Sequence, residues 1–227
     1  MSDTRKLTID IWSDVMCPWC LVGWGNLSQA LAQLDGELDA DIRWHAFELN
    51  PDMPEEGEER TAHIARKYGR TIEQSKEVQG RMREAAEAAG VSLDYEGAEP
   101  APDAMMWNTF AAHRLLTWAL EEHGAEKQTA LKLALFEAHF NQRRWIGERE
   151  VLLDLAEETG FDREAAAAAL DDEQLARKTR VEERAAMEMN ITGVPAMIVE
   201  GRFMIPGAQP PEAYVNALRR VVEKTAA

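Results

Sequence analysis

Cysteine is nearly absent from this chain, which has two in 227 residues, Cys17 and Cys20. Small secreted folds that depend on disulfide bonds carry many more, so that class is excluded. A structural zinc site is not indicated either, because zinc takes four ligands and the chain has no second cysteine pair. The five histidines also lack metal-ligand spacing. We therefore predict no metal site.

Basic residues and long apolar runs are also scarce. The 25 lysines and arginines face 41 aspartates and glutamates, which gives a formal net charge of -16. Such a surface disfavours nucleic acid and anionic membranes, and we expect neither as a partner. No segment approaches the roughly 18 apolar residues of a membrane span, and the N-terminus lacks the apolar core of a signal peptide. The sequence therefore predicts a cytoplasmic protein.

The two cysteines lie in one motif, CPWC, in which Pro18 and Trp19 separate Cys17 from Cys20. Reducing conditions in the cytoplasm keep ordinary thiols reduced, so a close pair indicates catalysis or metal binding. An alternating strand pattern at Leu7–Trp12 precedes the motif, and apolar residues at helical spacing follow it. Proline suits the first position of a helix, so we expect Cys17 at the helix N-terminus.

That position favours the Cys17 thiolate, because free N–H groups and the positive end of the helix dipole face it. We predict that Cys17 has a lowered pKa and attacks, and that Cys20, one helical turn later, resolves the mixed disulfide. The reversible Cys17–Cys20 disulfide would be the redox group, with no separate cofactor. The substrate would be a protein or small-molecule thiol or disulfide.

The rest of the pattern indicates two halves of one sheet. A second strand is predicted over Ile42–Leu49, and helical spacing runs from Pro54 to about Asn190, with one helix at Met105–His123. Two further strands and a C-terminal helix follow Thr192. The order βαβ, helices, ββα predicts an α/β fold with a large all-helical insertion between its halves.

Three stretches resemble the DsbA-family thioredoxin-like oxidoreductases, most closely the FrnE-like cytoplasmic branch. They are the CPWC motif, NTFAAHRL at 108–115 and TGVPAMIVEGRFMIPGAQP at 192–210. The resemblance covers nearly the whole chain. It implies a thioredoxin-like domain made of residues 1–55 and 188–227, interrupted by a helical domain at 56–187.

The resemblance also implies roles for particular residues. Pro195 would follow a cis peptide bond and face the CPWC motif, and the backbone of Val194 would present the substrate. Independently of the resemblance, Pro18 and Trp19 are expected to tune the redox potential, because they separate the two cysteines. Asn108 and His113 fall in the family-like stretch and are candidates for lining the cleft.

The chain departs from the family pattern beneath the cysteines. Many thioredoxins and DsbA proteins carry a buried carboxylate on the first strand, where this chain has Ile11. Asp10 is expected on the other face of the sheet, and Asp14 lies in the connector. The sequence therefore identifies no proton acceptor for Cys20.

Two other classes of function remain open. Glutathione-dependent isomerases and transferases of the kappa and 2-hydroxychromene-2-carboxylate isomerase type share the inserted helical domain. They typically keep a lone serine or cysteine where Cys17 stands, so Cys20 favours the redox interpretation. Glutathione is a candidate small thiol partner in either case. A non-catalytic binding module is the third class, and it explains neither cysteine.

Overall fold

The computed structural model describes residues 4–69 and 71–225. Its strands are β1 (Arg5–Ser13), β2 (Leu38–Ala46), β3 (Glu58–Glu59), β4 (Met105–Met106), β5 (Ala196–Val199) and β6 (Phe203–Pro206). Its helices are α1 (Pro18–Gln33), α2 (Arg60–Tyr68), α3 (Ile72–Ala88), α4 (Phe110–His123), α5 (Ala125–Phe140), α6 (Arg149–Glu158), α7 (Arg163–Asp171), α8 (Glu173–Glu188) and α9 (Pro211–Thr225). Within these described ranges, no helix has the length and apolar content needed to cross a bilayer.

The main sheet has four strands in the order β2-β1-β5-β6. β1 runs parallel to β2 and antiparallel to β5, which in turn pairs antiparallel with β6. Because side chains alternate along a strand, Ile9 and Ile11 of β1 face the apolar core shared with α1 and α9, and Trp12 faces a smaller cluster with Ala186 of α8. The sheet is thus covered by helices on both faces, as the predicted thioredoxin-like α/β fold requires.

The helices between β2 and β5 form the predicted insertion, and they pack directly on the sheet. Leu131 and Leu135 of α5 belong to the core of the inserted helices. Phe136 of the same helix belongs to the core under the sheet. The boundaries at residues 56 and 187 stay a prediction.

The second strand differs from the predicted Ile42–Leu49. β2 begins at Leu38 and ends at Ala46, because its parallel register with β1 pairs Arg5 with Leu38 and Ser13 with Ala46. Past Ala46 the chain has no further partner on β1, so the residues up to Leu49 leave the sheet.

The helix predicted from Met105 begins later, at Phe110. Met105–Met106 pairs instead with Glu58–Glu59 in a separate two-stranded sheet. The side chain of Asn108 accepts a hydrogen bond from the Phe110 N–H at 3.0 Å, which satisfies one of the free donors at the helix start. The apolar periodicity of this segment therefore extended beyond its true helix.

Candidate active site at the CPWC motif

The CPWC motif lies at the junction between β1 and α1. Cys17 occupies the N-cap position with extended backbone angles, and Pro18 is the first helical residue. The Cys17 N–H donates to the Asp14 carbonyl at 3.1 Å, and the Cys20 N–H donates to the Cys17 carbonyl at 3.0 Å. Both cysteines are free thiols, and both are buried. The sequence prediction of the strand-to-helix junction is confirmed.

A cavity of about 390 Å³ opens beside the motif. Its lining includes four of the predicted site residues, Cys17, Pro18, Trp19 and Val194, and does not include Cys20. Trp19 projects at the rim with 40% of its surface exposed. Cys17 is therefore the sulfur of the pair that a ligand in the cavity meets first.

The loop before β5 closes one side of the site. The Val194–Pro195 peptide bond is cis, and the Cys17 Sγ lies 3.7 Å from the Val194 carbonyl oxygen in a thiol-to-carbonyl hydrogen bond. A Cβ placed on Gly23 would stand 3.0 Å from Pro195 Cγ, so a glycine on α1 permits this close approach.

Asn108 and His113 do not belong to the lining of this cavity. The Asn108 side chain donates to the Met53 carbonyl at 3.0 Å and helps to begin α4. His113 is buried, with its Nε2 3.6 Å from Asp14 Oδ1. Both residues were expected to line the cleft, and the structure does not place them there. Asn108 instead contacts Met53 at the start of α4, and His113 lies beside Asp14.

The two thiols are electrostatically linked. Interaction with Cys20, burial and the negative charge of Cys20 raise the pKa of Cys17 well above its ordinary value. Burial raises the pKa of Cys20 too, but the Cys17 thiol, the Ser13 hydroxyl and the Lys132 ammonium outweigh it and lower that pKa. Of the two thiols, Cys20 is therefore the one whose ionised form the site favours. The expectation of a lowered Cys17 pKa is wrong for this state, because it considered only the helix N-terminus.

Asp14 is a second charge inside the site. Its side chain is fully buried, and it accepts hydrogen bonds from the Leu49 N–H at 2.8 Å and the Met16 N–H at 3.3 Å. Burial alone would raise its pKa, but His113, the Leu49 N–H and Lys132 lower it below the ordinary value. Asp14 therefore remains a carboxylate at neutral pH.

Lys132 on α5 is fully buried beneath the motif, with no exposed surface. Its Nζ donates to the Ser13 carbonyl at 3.4 Å and lies 5.3 and 4.9 Å from the ring centroids of Trp44 and Phe136. Burial lowers its pKa to about 8, and the negative charge of Cys20 is the first of the charges that oppose this shift.

Sequence reasoning missed Lys132, although a signal was present. Lys132 stands four residues before Phe136 and four after Gln128, so the three share one stripe of α5. A lysine on a stripe that ends in a core aromatic predicts either a snorkelling side chain or a buried charge. The spacing identifies Lys132 as a candidate, but the packing around it is needed to decide whether the side chain snorkels to water or lies buried.

The cavity wall is basic, in contrast to the protein as a whole. Arg60, Lys67, Arg83 and Arg143 line it, with Asp94 as the one acidic residue in the lining. Arg83 forms an ion pair with Asp94 at 2.8 Å. The Nε of Arg60 is buried without a hydrogen-bond partner among the residues that are described. The wall thus carries a guanidinium that is only partly satisfied, in the same cavity that Cys17 lines.

Known protein families and solved structures resemble this chain in sequence and fold. The family model of the DSBA-like thioredoxin domain matches residues 8–219. This chain belongs to the DsbA-like family. The DsbA-like chain is 28% identical over 212 residues to the uncharacterized Bacillus subtilis protein YwbO, which covers 92% of this chain and 94% of YwbO. It is 30% identical to SCO1869 of Streptomyces coelicolor, described as a probable DsbA oxidoreductase, with a TM-score of 0.83 and coverage of 94% of this chain and 89% of SCO1869.

Two more distant structures share only the fold with this DsbA-like protein. The cytosolic disulfide reductase DsbM of Pseudomonas aeruginosa, solved with GSH, is 21% identical with a TM-score of 0.62, covering 95% of this chain and 99% of DsbM. A 2-hydroxychromene-2-carboxylate isomerase is 18% identical with a TM-score of 0.66, covering 96% of this chain and 98% of the isomerase. Because one fold serves both activities, the side chains of the site must distinguish them.

Proposed function

We propose that this DsbA-like protein is a thiol–disulfide oxidoreductase in which Cys17 forms the mixed disulfide and Cys20 resolves it. The observation that carries the proposal is the asymmetry of the pair. Cys17 lies in the cavity wall, whereas Cys20 lies behind it with the lower pKa. Disulfide exchange requires one sulfur that the substrate can reach and a second that can attack the mixed disulfide from within the protein.

Reduction of a substrate disulfide begins at Cys17. Cys17 passes its proton to the Cys20 thiolate, attacks one substrate sulfur and releases the other as a thiolate. Cys20 gives that proton to the released thiolate and attacks Cys17 Sγ, which forms the Cys17–Cys20 disulfide. The second product thiolate leaves and takes a proton from solvent. Two electrons move from the pair to the substrate, and the reverse sequence oxidises a dithiol.

We further propose a small acidic thiol, with glutathione as the candidate, as one exchange partner. The Arg60 guanidinium, whose Nε has no hydrogen-bond partner among the described residues, and the other cations of the wall suit the carboxylates of such a molecule. DsbM, which shares the fold, was solved with GSH. Protein disulfides remain the other substrate class.

We place the protein in the FrnE-like branch and in the cytoplasm, because a reducing compartment would supply reduced thiol as the electron donor.

Trapping with glutathione disulfide tests the proposal. We expect Cys20→Ser to accumulate a stable adduct of one glutathione on Cys17, visible by intact mass spectrometry, and Cys17→Ser to accumulate none. The matched pair differs only in which sulfur remains. Equal trapping by both variants would contradict the assigned roles.

The same variants separate the redox function from the isomerase class. A glutathione-dependent isomerase or transferase does not need a second thiol. If the wild type reduces neither insulin nor glutathione disulfide, and isomerisation or conjugation continues at full rate in Cys20→Ser, the isomerase assignment replaces ours.

A further inference from the structure

The position on β1 where related folds carry a buried acid is apolar here, and a cation is buried at the end of the same strand. Ile11, at the position of the usual carboxylate, is fully buried in the apolar core with both cysteines. Asp10 lies on the other face, with its Oδ1 2.8 Å from His45 Nε2. Lys132, from the inserted helix α5, is a fully buried charged side chain whose Nζ donates to the carbonyl of Ser13, the last residue of β1 before the connector to the cysteines.

Lys132 is poorly compensated by other groups. Its Nζ has one long hydrogen bond, to the Ser13 carbonyl, and two aromatic faces. No carboxylate forms an ion pair with it in the ranges that the structure describes. Asp14 is the nearest acid in electrostatic effect, but its oxygens already accept two backbone N–H groups and face His113. A buried ammonium needs a negative partner, and Cys20 is the first of its attractive charges.

We propose that Lys132 is the residue that stabilises the Cys20 thiolate, both when Cys20 attacks the mixed disulfide and when it leaves from the Cys17–Cys20 disulfide. This inference rests on the proposed exchange function. In closure, Cys20 gives its proton to the first released thiolate and bonds to Cys17 Sγ, while the bond from Cys17 Sγ to the second substrate sulfur breaks and that sulfur leaves as a thiolate. In opening, a substrate thiolate bonds to Cys17 Sγ, and the electron pair of the broken S–S bond goes to Cys20. The ammonium stabilises the charge on Cys20 in both directions.

This role differs from that of the carboxylate it replaces. A buried acid accepts a proton from the resolving thiol. Lys132, with its pKa of about 8, is mostly protonated at neutral pH and acts by its positive charge. The charges that act on it are Asp14 from the connector, Cys17 at the N-cap of α1 and Cys20 within α1, while β2 and α5 contribute the rings of Trp44 and Phe136. Stabilising the leaving thiolate speeds opening of the disulfide and favours the reduced protein.

Single-thiol titration isolates the effect from catalysis. In a Cys17→Ser background, where Cys20 is the one remaining thiol, its thiolate is titrated against pH by ultraviolet absorbance with and without Lys132→Met. An adjacent opposite charge shifts a pKa by about 1 to 3 units, so we expect the midpoint for Cys20 to rise by at least about one unit. Lys132→Arg, which keeps the charge, should retain the low midpoint.

The protein with both cysteines supplies a second readout. Loss of the thiolate's stabilisation should move the equilibrium with glutathione toward the Cys17–Cys20 disulfide by about tenfold, which lowers the potential by about 30 mV. Lys127→Met is the control, because Lys127 is on the same helix and its Nζ donates to the carbonyls of Thr159 and Gly160. It should change neither value.

The outcomes distinguish this inference from the proposed function. If folded Lys132→Met leaves the Cys20 midpoint and the glutathione equilibrium unchanged while the wild type exchanges disulfides, the role of Lys132 is overturned and the function stands. If the midpoint rises but the wild type exchanges no disulfide, the electrostatic role is supported and the function fails. Should Lys132→Met not fold, Lys132→Gln is judged by the same two readouts.

Discussion

Two glycine-to-alanine substitutions on helices should have opposite effects on stability. Gly25 lies on α1 where the end of α3 packs against it, and a Cβ there would stand 2.5 Å from the Ala89 carbonyl oxygen and 3.0 Å from Val91 Cγ1. Gly80 lies within α3, and a Cβ there would meet nothing within 4 Å. Both substitutions gain the same helix propensity, so their difference measures the cost of the contact at Gly25.

The magnitude follows from that contact. Replacing glycine by alanine in a helix interior gains about 0.8 to 1.0 kcal/mol. Overpacking a tight site costs about 1 to 3 kcal/mol, and at Gly25 the obstacle is a backbone oxygen that cannot rotate away. Gly80→Ala should therefore exceed Gly25→Ala in free energy of unfolding by about 1 to 3 kcal/mol. At this chain length that difference corresponds to roughly 2 to 12 °C in Tm.

Thermal unfolding followed by circular dichroism measures both variants beside the wild type. We expect Gly80→Ala to melt above the wild type and Gly25→Ala below it. Because Cys17 is the N-cap residue of α1, the alkylation rate of Cys17 should also change in Gly25→Ala and stay constant in Gly80→Ala. A Gly25→Ala protein that melts at or above Gly80→Ala would refute the packing argument.

Three further predictions concern charged and polar groups. Arg60→Met should raise the KM for glutathione disulfide about tenfold with little change in kcat, because one charge-assisted contact is lost. A reductase assay measures both constants, and an unchanged KM would show that Arg60 does not bind the substrate. Gln128→Leu should cost about 3 kcal/mol in urea unfolding, since the buried Gln128 amide pairs with both the N–H and the carbonyl of Trp44 at 2.8 and 2.7 Å; the loss should be far smaller if water replaces the amide. Burial lowers the pKa of His45, but the carboxylates of Asp10 and Glu182 raise it to about 9. This folded value lies above the unfolded value of about 6.5. The stabilisation from charged His45 is therefore fully present below pH 6.5 and is lost as pH rises through 9. His45→Gln should abolish that alkaline loss in a series of unfolding curves.

The sequence predicted the elements whose patterns are local. Pro18 marks the start of α1, and the alternation from Leu7 marks β1, so the junction that holds the cysteines follows from neighbouring residues alone. The ends of β2 did not follow, because they depend on where β1 stops. The pairing of Met105–Met106 with Glu58–Glu59 was missed for the same reason, since partners nearly fifty residues apart leave no periodic signal.

The electrostatics of the site were predictable only in part. The position of Cys17 at the helix N-terminus was correct, but its pKa depends on Cys20, and that of Cys20 depends on Lys132. Whether a lysine on an amphipathic helix reaches water or lies buried is decided by the faces packed against it, here Trp44 and Phe136. Those faces come from distant parts of the chain.

Helix α5 joins the inserted helices to the chemistry of the sheet. One part of its surface completes the core of the insertion, and another carries Phe136 and Lys132 under the sheet. Excising the insertion would therefore not leave a minimal redox module, because it would remove the floor of the dithiol pocket together with its positive charge. Two proteins with an identical CPWC motif can also differ in reactivity, since Lys132 lies far from that motif in sequence and a change there leaves the motif intact.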